Sequence, residues 1–126
     1  MENLIINNNP DLICYPKVNF NISGVCEITG ESYMEDTYLF YQPVIEWLSE
    51  YIKENKPVIF NIKLTYFNTS SSRIILEILD LLKSYKDSNG QVVTNWYYKP
   101  EDPDMLMEIK GFEGEAGLSI NILPFE

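Results

Sequence analysis

The chain contains no histidine. That removes the commonest general base and excludes Ser-His-Asp and Cys-His arrangements. Cysteine is also scarce: Cys14 and Cys26 are the only two, and without histidine no zinc site is expected. Cations are few, nine Lys and Arg against 19 Asp and Glu, for a net charge of −10. A phosphate backbone needs clustered cations, so nucleic acid is not an expected partner. An anionic membrane surface would repel such a chain, and no stretch approaches the roughly 20 apolar residues of a membrane span. The first residues, Met1 to Pro10, lack a basic segment followed by an apolar one, so a cytoplasmic protein with reduced thiols is expected. No Gly-Lys-Ser/Thr occurs, and Gly111, Gly114 and Gly117 match neither a dinucleotide fingerprint nor a P-loop; they read as loop glycines. Asp102-Pro103-Asp104 lacks the Gly and the closing Glu of a calcium loop. Glu31, Glu35, Asp36, Glu101, Asp102 and Asp104 read as solvated surface acids. No cofactor and no metal are expected.

Apolar mass, by contrast, is plentiful. With 126 residues, of which 45% are hydrophobic, the chain can build a core and is expected to form a single domain over residues 1–126. Val18, Phe20 and Ile22 alternate with Lys17, Asn19 and Asn21, and Ser23-Gly24 marks a turn, so Lys17 to Ile28 reads as a hairpin. A weak strand is possible at Leu4 to Ile6, and Thr29 to Asp36 reads as a polar turn. Tyr41, Val44, Ile45, Leu48, Tyr51 and Ile52 recur at helical spacing. Pro43 interrupts them, which predicts a regular helix only from near Gln42 to Lys53–Asn55. Val58, Phe60, Ile62, Leu64 and Tyr66 alternate as a strand with one buried face. Trp47, Tyr51 and Tyr66 read as core or edge packing. Ile74, Ile78, Leu81, Leu82 and Tyr85 predict a second helix ending before Asp87-Ser88-Asn89-Gly90. Val92 to Tyr98 reads as a strand. A short helix from Asp104, its candidate N-cap, to about Glu113 and a strand at Leu118 to Leu123 follow. The order ββ-α-β-α-β-α-β predicts an α/β fold, a mixed β-sheet with packed helices.

One segment stands out, Asn68-Thr69-Ser70-Ser71-Ser72-Arg73, where the clearest strand hands over to an amphipathic helix. Asn, Thr and Ser are preferred N-caps because their oxygens accept from orphan N–H groups of the first turn. One cap does not require four consecutive hydroxyls. The same helix end favours a phosphate, so the block is also a candidate phosphorylation site. Physical reasoning alone does not choose between Thr69 and the neighbouring serines.

The chain resembles the SiaC family of bacterial regulatory phosphoproteins. Thr29-Gly30-Glu31-Ser32-Tyr33-Met34-Glu35-Asp36 followed by Phe40-Tyr41-Gln42-Pro43-Val44-Ile45-Glu46-Trp47-Leu48 is similar to the family's G-x-S-Y-P-E-(N/D) segment leading into F-(F/Y)-x-P-(V/I)-x-x-W-(L/I). Leu64 to Ser72 is similar to its strand-end Y-(L/M/F)-N-T-S-S. The resemblance runs from about Pro10 to Phe125. Met34 departs from it, standing where the family commonly has Pro, which would loosen the turn before the first helix. The resemblance implies phosphorylation of Thr69 by a protein kinase and its reversal by a metal-dependent serine/threonine phosphatase. It also implies that the unphosphorylated form binds and activates an effector such as a diguanylate cyclase, and a fold reminiscent of anti-sigma-factor antagonists (STAS-like). Asn68, Ser70, Ser71, Ser72 and Arg73 would shape the switch surface, with Tyr33, Glu35 and Asp36 beside them if their loop faces the same edge. The rival readings are a constitutive adaptor whose hydroxyl block is only a cap, and a small carboxylate-dependent enzyme.

Overall fold

The computed structural model describes residues 1–6 and 13–125; Pro10, where the resemblance begins, lies outside them. In chain order the described elements are β1 (Leu4–Ile6), β2 (Lys17–Phe20), β3 (Val25–Ser32), α1 (Thr37–Ile52), β4 (Val58–Phe67), α2 (Thr69–Asp87), β5 (Val92–Tyr98), α3 (Pro103–Ala116) and β6 (Asn121–Pro124). The strands form one sheet in sequence order. The pairs β1–β2 and β2–β3 are antiparallel, and β3–β4, β4–β5 and β5–β6 are parallel. This is the expected mixed sheet. Right-handed crossovers that always step the same way put all three helices on one face, with α1 beside α2 and α2 beside α3.

The residue alternation follows from this one-sided cover. Val58, Phe60, Ile62 and Leu64 are buried under the helices, as are Phe20, Cys26 and Ile28 from the neighbouring strands. The opposite face is open. There Asn95 donates to Asn61 at 2.9 Å and Asn121 to Asn95 at 3.0 Å, an amide row across three parallel strands. Lys63 pairs with Glu27 at 3.3 Å and lies 5.1 Å from the centre of the Tyr97 ring. Both outer strands are short: three residues in β1, and four in β6, which ends at Pro124.

Several boundaries differ from those read in the sequence. Helix α1 begins at Thr37, not near Gln42, and carries Pro43 in its interior. Thr37 is buried one turn before Tyr41 and extends the apolar stripe backwards, while Pro43 and Leu39 face solvent. Water can therefore serve the Leu39 carbonyl that proline leaves without its helical donor. β3 runs on to Ser32, into the segment read as a turn, because β4 offers it a parallel partner up to Phe67. α3 starts at Pro103, the favoured N1 residue, with Asp102 rather than Asp104 as its cap; Asp102 Oδ1 accepts from Met105 N at 3.1 Å. α3 continues to Ala116, so Gly111 and Gly114 are helical, and only Gly117, at φ +66°, lies beyond the helix as its left-handed cap. β6 begins at Asn121, after Leu118 and Ile120 have been buried ahead of it.

Gly24 closes the hairpin at φ +97°, and a Cβ there would stand 2.2 Å from the Pro57 carbonyl oxygen and 2.5 Å from the Tyr51 hydroxyl. Those two groups are hydrogen-bonded to each other, and the Gly24 carbonyl accepts from Ile59 N at 2.8 Å. Gly24→Ala is expected to lower stability by roughly 2–4 kcal/mol, read from urea unfolding. A loss below about 0.5 kcal/mol would show that the turn tolerates a side chain.

Candidate functional site

β3 and β4 run side by side and end together, Ser32 opposite Phe67. Just before that end the register slips: Gly30 faces Leu64, but Glu31 faces Tyr66, so Thr65 is the extra residue. Its hydroxyl donates to the Gly30 carbonyl at 3.3 Å. A bulge of this kind shifts the alternation by one. Phe67 consequently packs against Trp96 and Phe112, with ring centres 5.9 and 5.6 Å away. Tyr66, read as a member of the buried stripe, is instead exposed and meets Tyr33 edge-on at 5.5 Å.

Asn68 follows immediately and stops the strand. Its backbone N–H donates to Ser32 O at 3.0 Å. Its side-chain Oδ1 caps α2 by accepting from Ser71 N at 2.9 Å. Its Nδ2 donates to Met34 O at 3.3 Å. The same carbonyl accepts from Thr37 Oγ1 at 3.0 Å. The turn before α1 is therefore pinned at Met34, not loosened, and the buried Met34 side chain fills the space beneath it.

The four hydroxyls after Asn68 have four different situations. Ser71 is fully buried, 2.7 Å from Ser32 Oγ, which lies 2.8 Å from the Tyr41 hydroxyl. Ser70 is exposed, yet its Oγ stands 2.7 Å from Thr37 Oγ1 and 3.1 Å from Asn68 Oδ1. Since Thr37 gives its proton to Met34, the single Ser70 proton has two acceptors waiting. Ser72 donates back to Thr69 O at 2.7 Å. Thr69, the first residue of α2, is exposed, and its hydroxyl makes no hydrogen bond among the described residues.

The loop residues named from the sequence do reach this edge in part. Tyr33 lies on Tyr66, and burial together with the Glu31 carboxylate raises its phenol above the ordinary tyrosine value. Glu35 and Asp36 are exposed. Asp36 accepts from the Tyr15 hydroxyl at 2.6 Å, and that bond pushes the Tyr15 phenol up to about 12. Arg73 is exposed, one turn beyond Thr69 on α2, with no ion pair among the described residues. Sequence reading missed Ser32, Thr37, Tyr41 and Tyr15. Thr37 and Ser32 were findable in principle, since each continues a buried periodicity, four before Tyr41 and four after Ile28.

Asn68 and Thr69, though neighbours, differ in what they hold. Asn68→Ala is expected to lower stability by about 1–2 kcal/mol through loss of the cap. Thr69→Ala should stay within about 0.5 kcal/mol of the parent protein in urea unfolding; equal losses would show that Thr69 carries structure. Burial also pushes the Tyr41 phenol up to about 12, against about 10 for an unfolded tyrosine. The folded state then keeps a proton that the unfolded chain loses, so this stabilisation holds below pH ~10 and declines between ~10 and 12. Tyr41→Phe is expected to make urea midpoints fall less steeply with pH across that window; an unchanged slope would place the alkaline sensitivity elsewhere.

Comparison with known proteins agrees with this fold. The chain is 31% identical over 77 residues to an uncharacterised protein of Pseudomonas aeruginosa (strain UCBPP-PA14), a match covering 60% of this chain and 61% of that protein's length. The crystal structure of apo-SiaC from Pseudomonas aeruginosa superposes with a TM-score of 0.89 at 24% identity, covering 98% of this chain and 99% of that one. A chain in the crystal structure of the diguanylate cyclase SiaD in complex with its activator SiaC, also from Pseudomonas aeruginosa, gives 0.90 at 23% identity, covering 97% and 99%. These two structures share the fold. The profile of the SiaC family regulatory phosphoproteins matches residues 10–125, and the chain belongs to that family.

Proposed function

We propose that this protein is a non-catalytic, cytoplasmic signalling regulator, one domain over residues 1–126, switched by reversible phosphorylation of Thr69. A partner kinase adds the phosphate, and a metal-dependent serine/threonine phosphatase removes it. The unphosphorylated form binds and activates an effector such as a diguanylate cyclase.

The observation that carries this reading is the division of labour among the hydroxyls. Ser71 is inaccessible, and Ser70 and Ser72 are engaged, whereas Thr69 is exposed and unengaged among the described residues. A kinase can take Thr69 without dismantling the cap. In that transfer the Thr69 oxygen bonds to the terminal phosphorus of a nucleoside triphosphate, the bond to the departing diphosphate breaks, and the hydroxyl proton passes to a base on the kinase. Hydrolysis by water on the phosphatase restores the hydroxyl and releases inorganic phosphate. The added group brings roughly −1.5 to −2 charges to the positive end of α2. Family membership supports the regulatory role, and the activator named in the SiaD complex supports a cyclase as the class of effector.

The test is fragmentation mass spectrometry of protein from its native host, with effector binding measured for both forms. One phosphate localised to Thr69, and weaker effector binding by the phosphorylated form, is the expected result. Absence of phosphate under every growth condition, with Thr69→Ala behaving as the parent protein, would leave a constitutive adaptor.

A further inference from the structure

The surroundings of Thr69 contain a cation with no evident structural duty. Arg73 is the chain's only arginine. It sits in the second turn of α2, near the positive end of the helix dipole, where a cation is mildly disfavoured. The first turn carries no acidic residue to compensate it. Lys53, Lys56, Lys63 and Lys83 take carboxylate partners, while Lys17, Lys86, Lys99 and Lys110 take none among the described residues. Arg73 takes none among the described residues, although the chain has 19 acids. Glu77 stands one turn further on, but a helical side chain leans towards the N-terminus of its helix, away from Glu77 and over the turn that begins at Thr69.

Residues four apart on a helix have Cβ atoms about 6 Å apart, and the favourable order places the anion on the N-terminal side. Thr69 and Arg73 have that spacing, and a phosphate on Thr69 would supply that order. We infer that, once Thr69 is phosphorylated, Arg73 holds the phosphate within the same chain, closing a guanidinium–phosphate pair over the first turn of α2. This rests on the reading of Thr69 as the acceptor. A planar guanidinium is suited to bidentate contact with phosphate oxygens, and the Thr69 and Ser70 N–H groups, which the Asn68 side chain does not cap, point out of the same helix end. Phosphorylation then changes two groups at once. It adds the phosphate and withdraws the guanidinium from the surface that a partner meets.

The experiment uses full-length protein with phosphothreonine placed at position 69 by genetic encoding, so it reads the pairing whether or not a kinase uses that residue. With one arginine in the chain, its Nε–H gives a single signal in a nitrogen-15 correlation spectrum. That signal is expected to shift and to exchange more slowly with water in the phosphorylated protein. Phosphorylation is also expected to raise the thermal midpoint by about 3 °C. Arg73→Gln should remove most of that rise, and Arg73→Lys should keep part of it, leaving the unphosphorylated midpoints nearly unchanged. An arginine signal indifferent to the phosphate, or an equal midpoint rise in Arg73→Gln, would overturn the pairing while leaving Thr69 as the acceptor untouched.

Discussion

Four pieces of chain meet at this edge of the fold through one residue, Asn68. Its backbone N–H reaches the end of β3, and its side-chain amide reaches the turn before α1 and the first turn of α2. An amide is suited to this, because it carries an acceptor for the helix N–H and a donor for a carbonyl on the same rigid plane. With the cap supplied by Asn68, the residue after it need not cap anything. Thr69 is left exposed and unengaged among the described residues because its neighbour already does the structural work.

The buried hydroxyls beneath form a second tier. Ser71, Ser32 and Tyr41 satisfy one another in the space between α1, α2 and β3. Such groups are costly when unpaired and specify position when paired. They fix the height of α2 relative to α1, and the Ser70–Thr37 contact repeats the tie nearer the surface. A charge placed on Thr69 thus arrives on a helix end already held from below, where it alters the surface more readily than the packing.

Much of the architecture was legible because local signals agreed with the fold. The hairpin, β4 and the apolar stripe of α2 each followed from simple periodicity. Tyr66 was misplaced because the alternation breaks at Thr65, and nothing in the side chains there announces an extra residue in the ladder. The start of α1 was hidden by Pro43, whose cost depends on whether it faces water. Gly111 and Gly114 read as loop because their low helix propensity outweighed an apolar pattern that fades near Glu113. The hydroxyl pairs were illegible for a different reason. Ser32 and Ser71 are 39 positions apart and meet only because β3 and β4 end in register. The choice among Thr69 and the three serines therefore needed coordinates or a family, not a closer look at the letters.

The uncovered face of the sheet has a consequence for behaviour at high concentration. Identical amides stacked across parallel strands are a pattern shared with fibril cores, where such rows extend without limit. Here the row stops at Asn61 on one side, where Glu27 follows in register, and at Asn121 on the other. The outermost strands are too short to template further chains, and Pro124 blunts one of them. The fold thus carries a row of amides of the kind found in fibrils between edges that do not favour its extension.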